Sequence, residues 1–148
     1  MRLRLLCLGL AAAVFIGTVA CDESLSDLAG PTPNLAPTFS SIQREIFDTT
    51  DSSGRLACVT CHNGRNPFAP MNLGAATSYA ALVNVRSFER PALLRVNPGD
   101  PEGSYLVHKL EGRPSILFER MPRGTGPFLT EGQILIVKRW IELGARND

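Results

Sequence analysis

The sequence predicts an all-α domain of short helices joined by long loops. Several short segments repeat apolar residues at helical spacing, and two of them begin with strong capping signals. No segment shows the alternation of apolar and polar residues that is typical of a strand. The length of 148 residues fits one domain preceded by targeting sequence better than two domains.

The last helix gives the strongest of these signals. Thr130 is the expected N-cap, Gln133 occupies the capping-box position, and Gly144 is expected to end the helix. Trp140 is expected to pack in the core rather than on a ligand. The predicted apolar face consists of Ile134, Val137 and Ile141, widened by Leu135, Ile136 and Trp140.

The earlier helices are predicted from their first residues. Ser40 is the expected cap of the first helix, with Gln43 in the capping-box position. The second helix is expected to start at Thr77 or Ser78. The third is expected to start at Asp100, because a proline follows this capping residue.

The N-terminal segment has the pattern of an export signal, predicted to span residues 1–20. Arg2 and Arg4 precede an uncharged run from Leu5 to Ala20, which is short for a membrane span. The sequence Thr18-Val19-Ala20-Cys21 resembles a bacterial lipobox, although Thr18 stands where leucine is usual. That resemblance implies lipidation of Cys21 and attachment to a membrane of the cell envelope, on the periplasmic or cell-surface side. An ordinary cleaved signal and an uncleaved anchor are the alternatives.

The rest of the chain divides into a tether and a domain. Residues 21–37 are poor in large apolar side chains and rich in proline, so they are predicted to form a flexible tether. The domain is predicted to occupy residues 38–148. The net charge is only +1, with 15 basic and 14 acidic residues. Because nucleic-acid-binding proteins usually carry a strong basic excess, no nucleic-acid partner is expected.

One motif carries recognisable chemistry. Cys58-Val59-Thr60-Cys61-His62 is CxxCH, the attachment motif of haem c. The two thiols are expected to form thioethers with the two vinyl groups of one haem, and His62 is expected to bind the iron. A backbone carbonyl of Pro67 or Pro70 is expected to accept the other ring N–H of His62. A redox dithiol, a zinc site and a local disulfide are the competing interpretations.

The second axial ligand has several candidates. Haem iron is bound distally by methionine or histidine, or the distal position is open. Met121 is preferred because it lies in a loop that the following Pro122 would stiffen. Met71 and His108 are the other candidates, and an open site is the fourth possibility.

From about Phe39 to Ala145 the chain resembles the small class-I-type cytochrome c domains, especially their planctomycete-type branch. Beyond CxxCH, the resemblance rests on Met71-Asn72-Leu73, on Asn97-Pro98-Gly99-Asp100-Pro101 with Ser104, Leu106, Lys109 and Leu110, on Met121-Pro122, on Leu129-Thr130 with Gln133-Ile134, and on Trp140-Ile141 with Gly144-Ala145. It implies a small cytochrome c fold around one covalent haem, with His62 as the proximal and Met121 as the distal ligand. It also implies that the N- and C-terminal helices pack together with Trp140 at or near their contact.

The function that this resemblance implies is one-electron transfer between redox partner proteins, without enzymatic turnover. The alternative is a haem subunit, a gas or redox sensor, or a peroxidase-like enzyme with an open or exchangeable distal site. Arg120 and Arg123 flank the Met-Pro pair, where they are expected to be solvated charges, to steer an acidic partner or to pair with haem propionates.

Overall fold

The structure of the protein is a computed structural model that describes residues 30–148. The predicted signal peptide, Cys21 and the first part of the tether lie outside the described residues. The helices are α1 (Phe39–Ile42), which continues as a π-helical turn (Gln43–Phe47), then α2 (Ser78–Leu82), α3 (Tyr105–Glu111) and α4 (Glu131–Glu142). A short 3₁₀ turn (Cys58–Thr60) lies between α1 and α2.

The connections between these helices are long, and their β-structure within residues 30–148 consists of isolated β-bridges. The bridges are Val83 with Val96, Arg86 with Leu94, and Leu94 with Ser104. Among residues 30–148, none of the helices is long and apolar enough to span a membrane.

The core joins the two ends of the described chain. Phe39 of α1 stacks on Trp140 of α4 with ring centroids 5.4 Å apart, and Tyr79 of α2 meets the edge of Phe39 at 5.1 Å. Trp140 is 1% exposed, and its indole N–H donates to the carbonyl of Arg146. Trp140 therefore packs in the core at the contact between α1 and α4.

Part of the predicted tether is packed against this core. Leu35 is 2% exposed and belongs to the apolar core, and Thr32 is 3% exposed. The Gln133 side-chain amide donates to the Thr32 hydroxyl at 2.9 Å. The packed region therefore starts near Thr32 rather than at the predicted boundary of Thr38.

Two predicted helix starts are wrong. Thr38, not Ser40, is the N-cap of α1, because its extended backbone lets its hydroxyl accept from the Ser41 N–H. Asp100 caps a turn instead of a helix, since its carboxylate accepts from the Gly103 N–H at 2.8 Å. The third helix, α3, consequently begins four residues later than predicted, with Ser104 as its N-cap.

The capping box of α4 is confirmed. The Gln133 N–H donates to the Thr130 hydroxyl, and the Thr130 N–H donates to the Gln133 side-chain oxygen. These bonds satisfy N–H groups that have no partner within the helix. The helix ends just before Gly144, which takes a left-handed φ of 97°. Its apolar face packs in the core as predicted, except that Leu135 is 50% exposed.

Replacing Thr130 by alanine is expected to lower the free energy of unfolding by about 1 kcal/mol, because the first turn of α4 loses a capping hydrogen bond. Denaturant unfolding measures the loss. The matched control is Thr125→Ala, which changes an exposed residue in the loop before α4. Equal losses in the two variants would show that the cap contributes nothing specific.

Candidate functional site

The two cysteines and the histidine of CxxCH lie on one tight turn. The Thr60 N–H donates to the carbonyl of Ala57, and the N–H groups of Cys61 and His62 both donate to the carbonyl of Cys58. The thiols of Cys58 and Cys61 are free; Cys58 is half-buried and Cys61 is exposed. The turn therefore presents two free sulfurs and one imidazole from five consecutive residues.

A backbone carbonyl orients the His62 ring. Nδ1 of His62 lies 3.0 Å from the carbonyl oxygen of Phe68. Since a carbonyl only accepts, Nδ1 is the donor, and the neutral ring keeps a lone pair on Nε2. The expectation that Pro67 or Pro70 supplies this carbonyl is wrong, because Phe68, which lies between them, does so. A second bond, from the Leu73 N–H to the His62 carbonyl at 2.7 Å, holds the backbone.

The electrostatic surroundings of His62 favour the neutral imidazole. Burial lowers the pKa of His62, and the nearby positive charges of Arg95 and Lys109 lower it further. The hydrogen bond to Phe68 opposes these effects without overcoming them. A neutral imidazole is the form that binds a metal.

The CxxCH turn opens into a cleft of about 470 Å³. This volume falls in the range of about 300–1,000 Å³ that is usual for ligand sites. His62, Met71 and Met121 all line the cleft, together with both cysteines. Its other apolar lining residues are Phe47, Leu56, Ala57, Phe68, Ala69, Leu73, Leu82, Phe88, Leu106, Leu110, Phe118, Pro122 and Leu129.

The candidates for a distal ligand differ in whether they line the cleft that contains His62. Met121 and Met71 are half-buried and line the same cleft as His62. His108 does not line it, and its Nε2 lies 2.6 Å from the carbonyl of Glu102. The cleft therefore contains one imidazole and two thioethers from the candidate set, and lacks His108.

These residues fit a covalently attached haem better than a free metal ion or a redox dithiol. Imidazole and thioether form a known axial pair for haem iron, and the apolar cleft suits a porphyrin. Within residues 30–148, no group of three or more histidine, cysteine or acidic side chains is arranged to hold a metal ion. Burial raises the pKa of Cys58 to about 11, whereas the nucleophilic thiol of an oxidoreductase usually has a lowered pKa.

A buried arginine, which was not among the residues predicted from the sequence, holds the CxxCH turn through hydrogen bonds. Arg55 is 0% exposed, and its guanidinium pairs with the Asp51 carboxylate at 2.9 Å. It also donates to four carbonyls. The carbonyls belong to Glu45, Ile46, Thr49 and Leu56. Some of these carbonyls belong to the π-helical turn, and one belongs to Leu56, just before the CxxCH turn. Arg55 therefore connects the CxxCH turn to the end of the first helix.

Gln43 makes a second connection that the sequence analysis missed. Its side-chain amide donates to the Leu73 carbonyl at 2.9 Å and to the Asp48 carboxylate at 2.8 Å. Its side-chain oxygen accepts from the Ser78 hydroxyl at 2.6 Å. Gln43 thus links the first helix, the segment after the motif and the start of α2.

The two arginines beside Met121 have different surroundings. The guanidinium of Arg120 lies 4.3 Å from the ring centroid of Phe128, and its Nε donates to the Leu110 carbonyl at 2.7 Å. Arg123 is exposed, pairs with Glu119 at 3.3 Å and lines the mouth of the cleft. Arg120 therefore holds the loop on α3, while Arg123 is the one of the two that faces the cleft.

A comparison of the chain with protein-family models, curated proteins and solved structures finds no match.

Proposed function

We propose that this protein is a monohaem c-type cytochrome with a small cytochrome c fold that carries single electrons in the bacterial cell envelope. The observation that carries the proposal is the shared cleft. One mostly apolar cleft is lined by both CxxCH cysteines, by a neutral, oriented His62 and by Met121. Each of these groups has a role in holding a covalent haem.

The roles of the side chains follow from their positions. Cys58 and Cys61 would form the two thioether bonds, and His62 would hold the iron through Nε2 while Nδ1 donates to the Phe68 carbonyl. Met121 would supply a sulfur ligand from the loop that lines the same cleft. When bound, the haem supplies an iron that accepts and releases one electron. A methionine ligand favours the reduced iron and so raises the reduction potential.

The surroundings support a carrier rather than an enzyme with a substrate pocket. If His62 and Met121 both held the iron, the haem group would supply electron transfer rather than a binding position for a substrate. Exposed apolar side chains at the mouth of the cleft, among them Phe68, Phe88 and Phe118, suit contact with a partner protein. Lipidation of Cys21 would attach the domain to a membrane, where we propose that redox proteins are its partners.

Replacing Met121 by alanine tests the proposal. The variant is expected to keep its covalent haem but to convert from low-spin to high-spin, with a lower reduction potential, because the iron loses its sulfur ligand. Visible spectra and redox titration of the exported protein measure both changes.

Met71→Ala is the matched control, because Met71 also lines the cleft. If Met71→Ala alone changes the spin state, Met71 is the ligand. A wild-type protein that is already high-spin and binds carbon monoxide readily would instead support a haem sensor or enzyme. A wild-type protein without covalent haem contradicts the proposed function.

A further inference from the structure

The segment that carries Met121 is tied to α3 by four polar contacts, one of which is the bond from Arg120 to the Leu110 carbonyl at 2.7 Å. The Leu117 N–H donates to the Tyr105 hydroxyl at 3.0 Å, and the Lys109 ammonium donates to the Leu117 carbonyl at 2.8 Å. The Met121 N–H donates to the Lys109 carbonyl at 3.0 Å. Because Tyr105 and Lys109 lie one helical turn apart, both ends of the segment rest on one face of α3.

Glu89 connects the two side chains that make these contacts. Its carboxylate accepts from the Tyr105 hydroxyl at 2.7 Å and from the Lys109 ammonium at 3.0 Å. The Lys109 and Glu89 side chains are 8% and 12% exposed. A lysine is rarely buried to this extent unless it is paired, so the carboxylate is what keeps the ammonium in place.

Apolar burial does little to position the first residues of this segment. Phe118 is 83% exposed and Leu117 is 37% exposed. The backbone position of residues 117–120 therefore depends largely on hydrogen bonds to α3, while Met121 also packs against the apolar core. The residues that make those bonds, Tyr105 and Lys109, line the cleft together with Glu89 and Met121.

We propose that Lys109, held by Glu89, is a positioning residue that fixes the Met121 thioether over the cleft as the distal ligand. This inference rests on the proposed function. The buried ion pair would then strengthen the binding of Met121 to the iron, in addition to any general contribution to stability. Tyr105 aids Lys109 by holding the Leu117 N–H.

The test compares Lys109→Met and Glu89→Gln in the exported, full-length protein. Positioning predicts that both variants shift in the same direction, toward a larger high-spin fraction and a lower reduction potential, because both release the Met121 segment. The shift is expected to be smaller for Glu89→Gln, since the amide keeps one acceptor oxygen. A purely electrostatic role predicts opposite shifts, because Lys109→Met leaves a negative charge beside the cleft and Glu89→Gln leaves a positive one.

Hydrogen exchange gives a readout that does not depend on the haem. Lys109→Met is expected to speed exchange of the Met121 amide about tenfold relative to wild type, because the segment loses a charge-assisted bond. Lys109→Arg keeps the charge and donors, so it is expected to restore much of the protection and of the low-spin spectrum. Lys138→Met is the matched control, since Lys138 pairs with Glu111 but does not line the cleft.

Opposite potential shifts in the two variants, or equal effects of Lys109→Met and Lys138→Met, would overturn this inference. A wild-type protein without covalent haem would contradict the proposed function alone, and exchange at the Met121 amide would still decide whether the ion pair holds the segment. If Lys109→Met does not fold, Glu89→Gln and Lys109→Arg decide by the same two readouts.

Discussion

Replacing both Cys58 and Cys61 by serine is expected to abolish covalent haem attachment. The two sulfurs are free, lie on one turn and line the cleft, and serine provides no thiol for a thioether bond. The measurement is haem retention after denaturation and organic extraction of the exported protein. Wild type is expected to keep its haem through this treatment, and the double variant is expected to lose all of it.

Two further variants make this result specific. Thr60→Ala changes an exposed residue inside the same turn and is expected to leave attachment intact. His62→Ala keeps both thiols but removes the iron ligand, so any haem that remains attached should show an altered spectrum. Haem that survives extraction in the double cysteine variant would mean that another residue forms the covalent bond.

Replacing Arg55 by methionine is expected to lower the free energy of unfolding by about 3–5 kcal/mol, because the change leaves the Asp51 carboxylate buried and unpaired. The side chains of both partners are almost completely buried, at 0% and 1% exposure. Four backbone carbonyls also lose their donor. Denaturant unfolding measures the effect. Arg65→Met, at an exposed position, is the control and is expected to change stability little.

The dependence of stability on pH gives a second check on this pair. Burial raises the pKa of Asp51, but hydrogen bonds from Ser53 and the charge of Arg55 outweigh burial and leave the pKa below its ordinary value of 3.8. The charged carboxylate therefore stabilises the fold above that ordinary value, and this stability is lost as the pH falls through the lower value in the folded protein. Asp51→Asn is expected to be less stable than wild type at neutral pH, with a difference that shrinks in acid. A difference that does not change with pH would show that the Asp51 charge contributes nothing.

Short-range signals predicted part of the fold well. The capping box of Thr130 and Gln133 was predictable because its partners are three residues apart, and Thr77 as the N-cap of α2 follows from equally local information. The start of α3 was not predictable in this way, because Asp100 and Ser104 are both typical capping residues. Asp100 caps a turn instead, and Ser104 is the N-cap of the helix. The choice between them depends on tertiary contacts that no local pattern contains.

The residues of the candidate site also divide into those that a local sequence pattern predicts and those that depend on tertiary contacts. CxxCH identified Cys58, Cys61 and His62 because all three belong to one short motif. Arg55 and Glu89 were missed, and Lys109 was noted only as part of the resemblance, because charged residues are usually solvated and their burial depends on partners elsewhere in the chain. The 20-residue separation of Glu89 and Lys109 leaves no sequence pattern to find. For Arg55 one signal was present, the i, i+4 spacing from Asp51 just before the motif.

The hydrogen bonds of Arg55 also connect neighbouring segments of the chain. Small exported domains commonly close their loops with disulfides, which reduce the number of conformations accessible to the unfolded chain. Here the guanidinium joins residues 45–49 to residues 51–56 without a sulfur bond, and both thiols in the described part of the chain are free. Hydrogen bonds of this kind are not affected by thiol reductants, so the CxxCH turn is expected to keep its shape under the reducing conditions that keep its cysteines free.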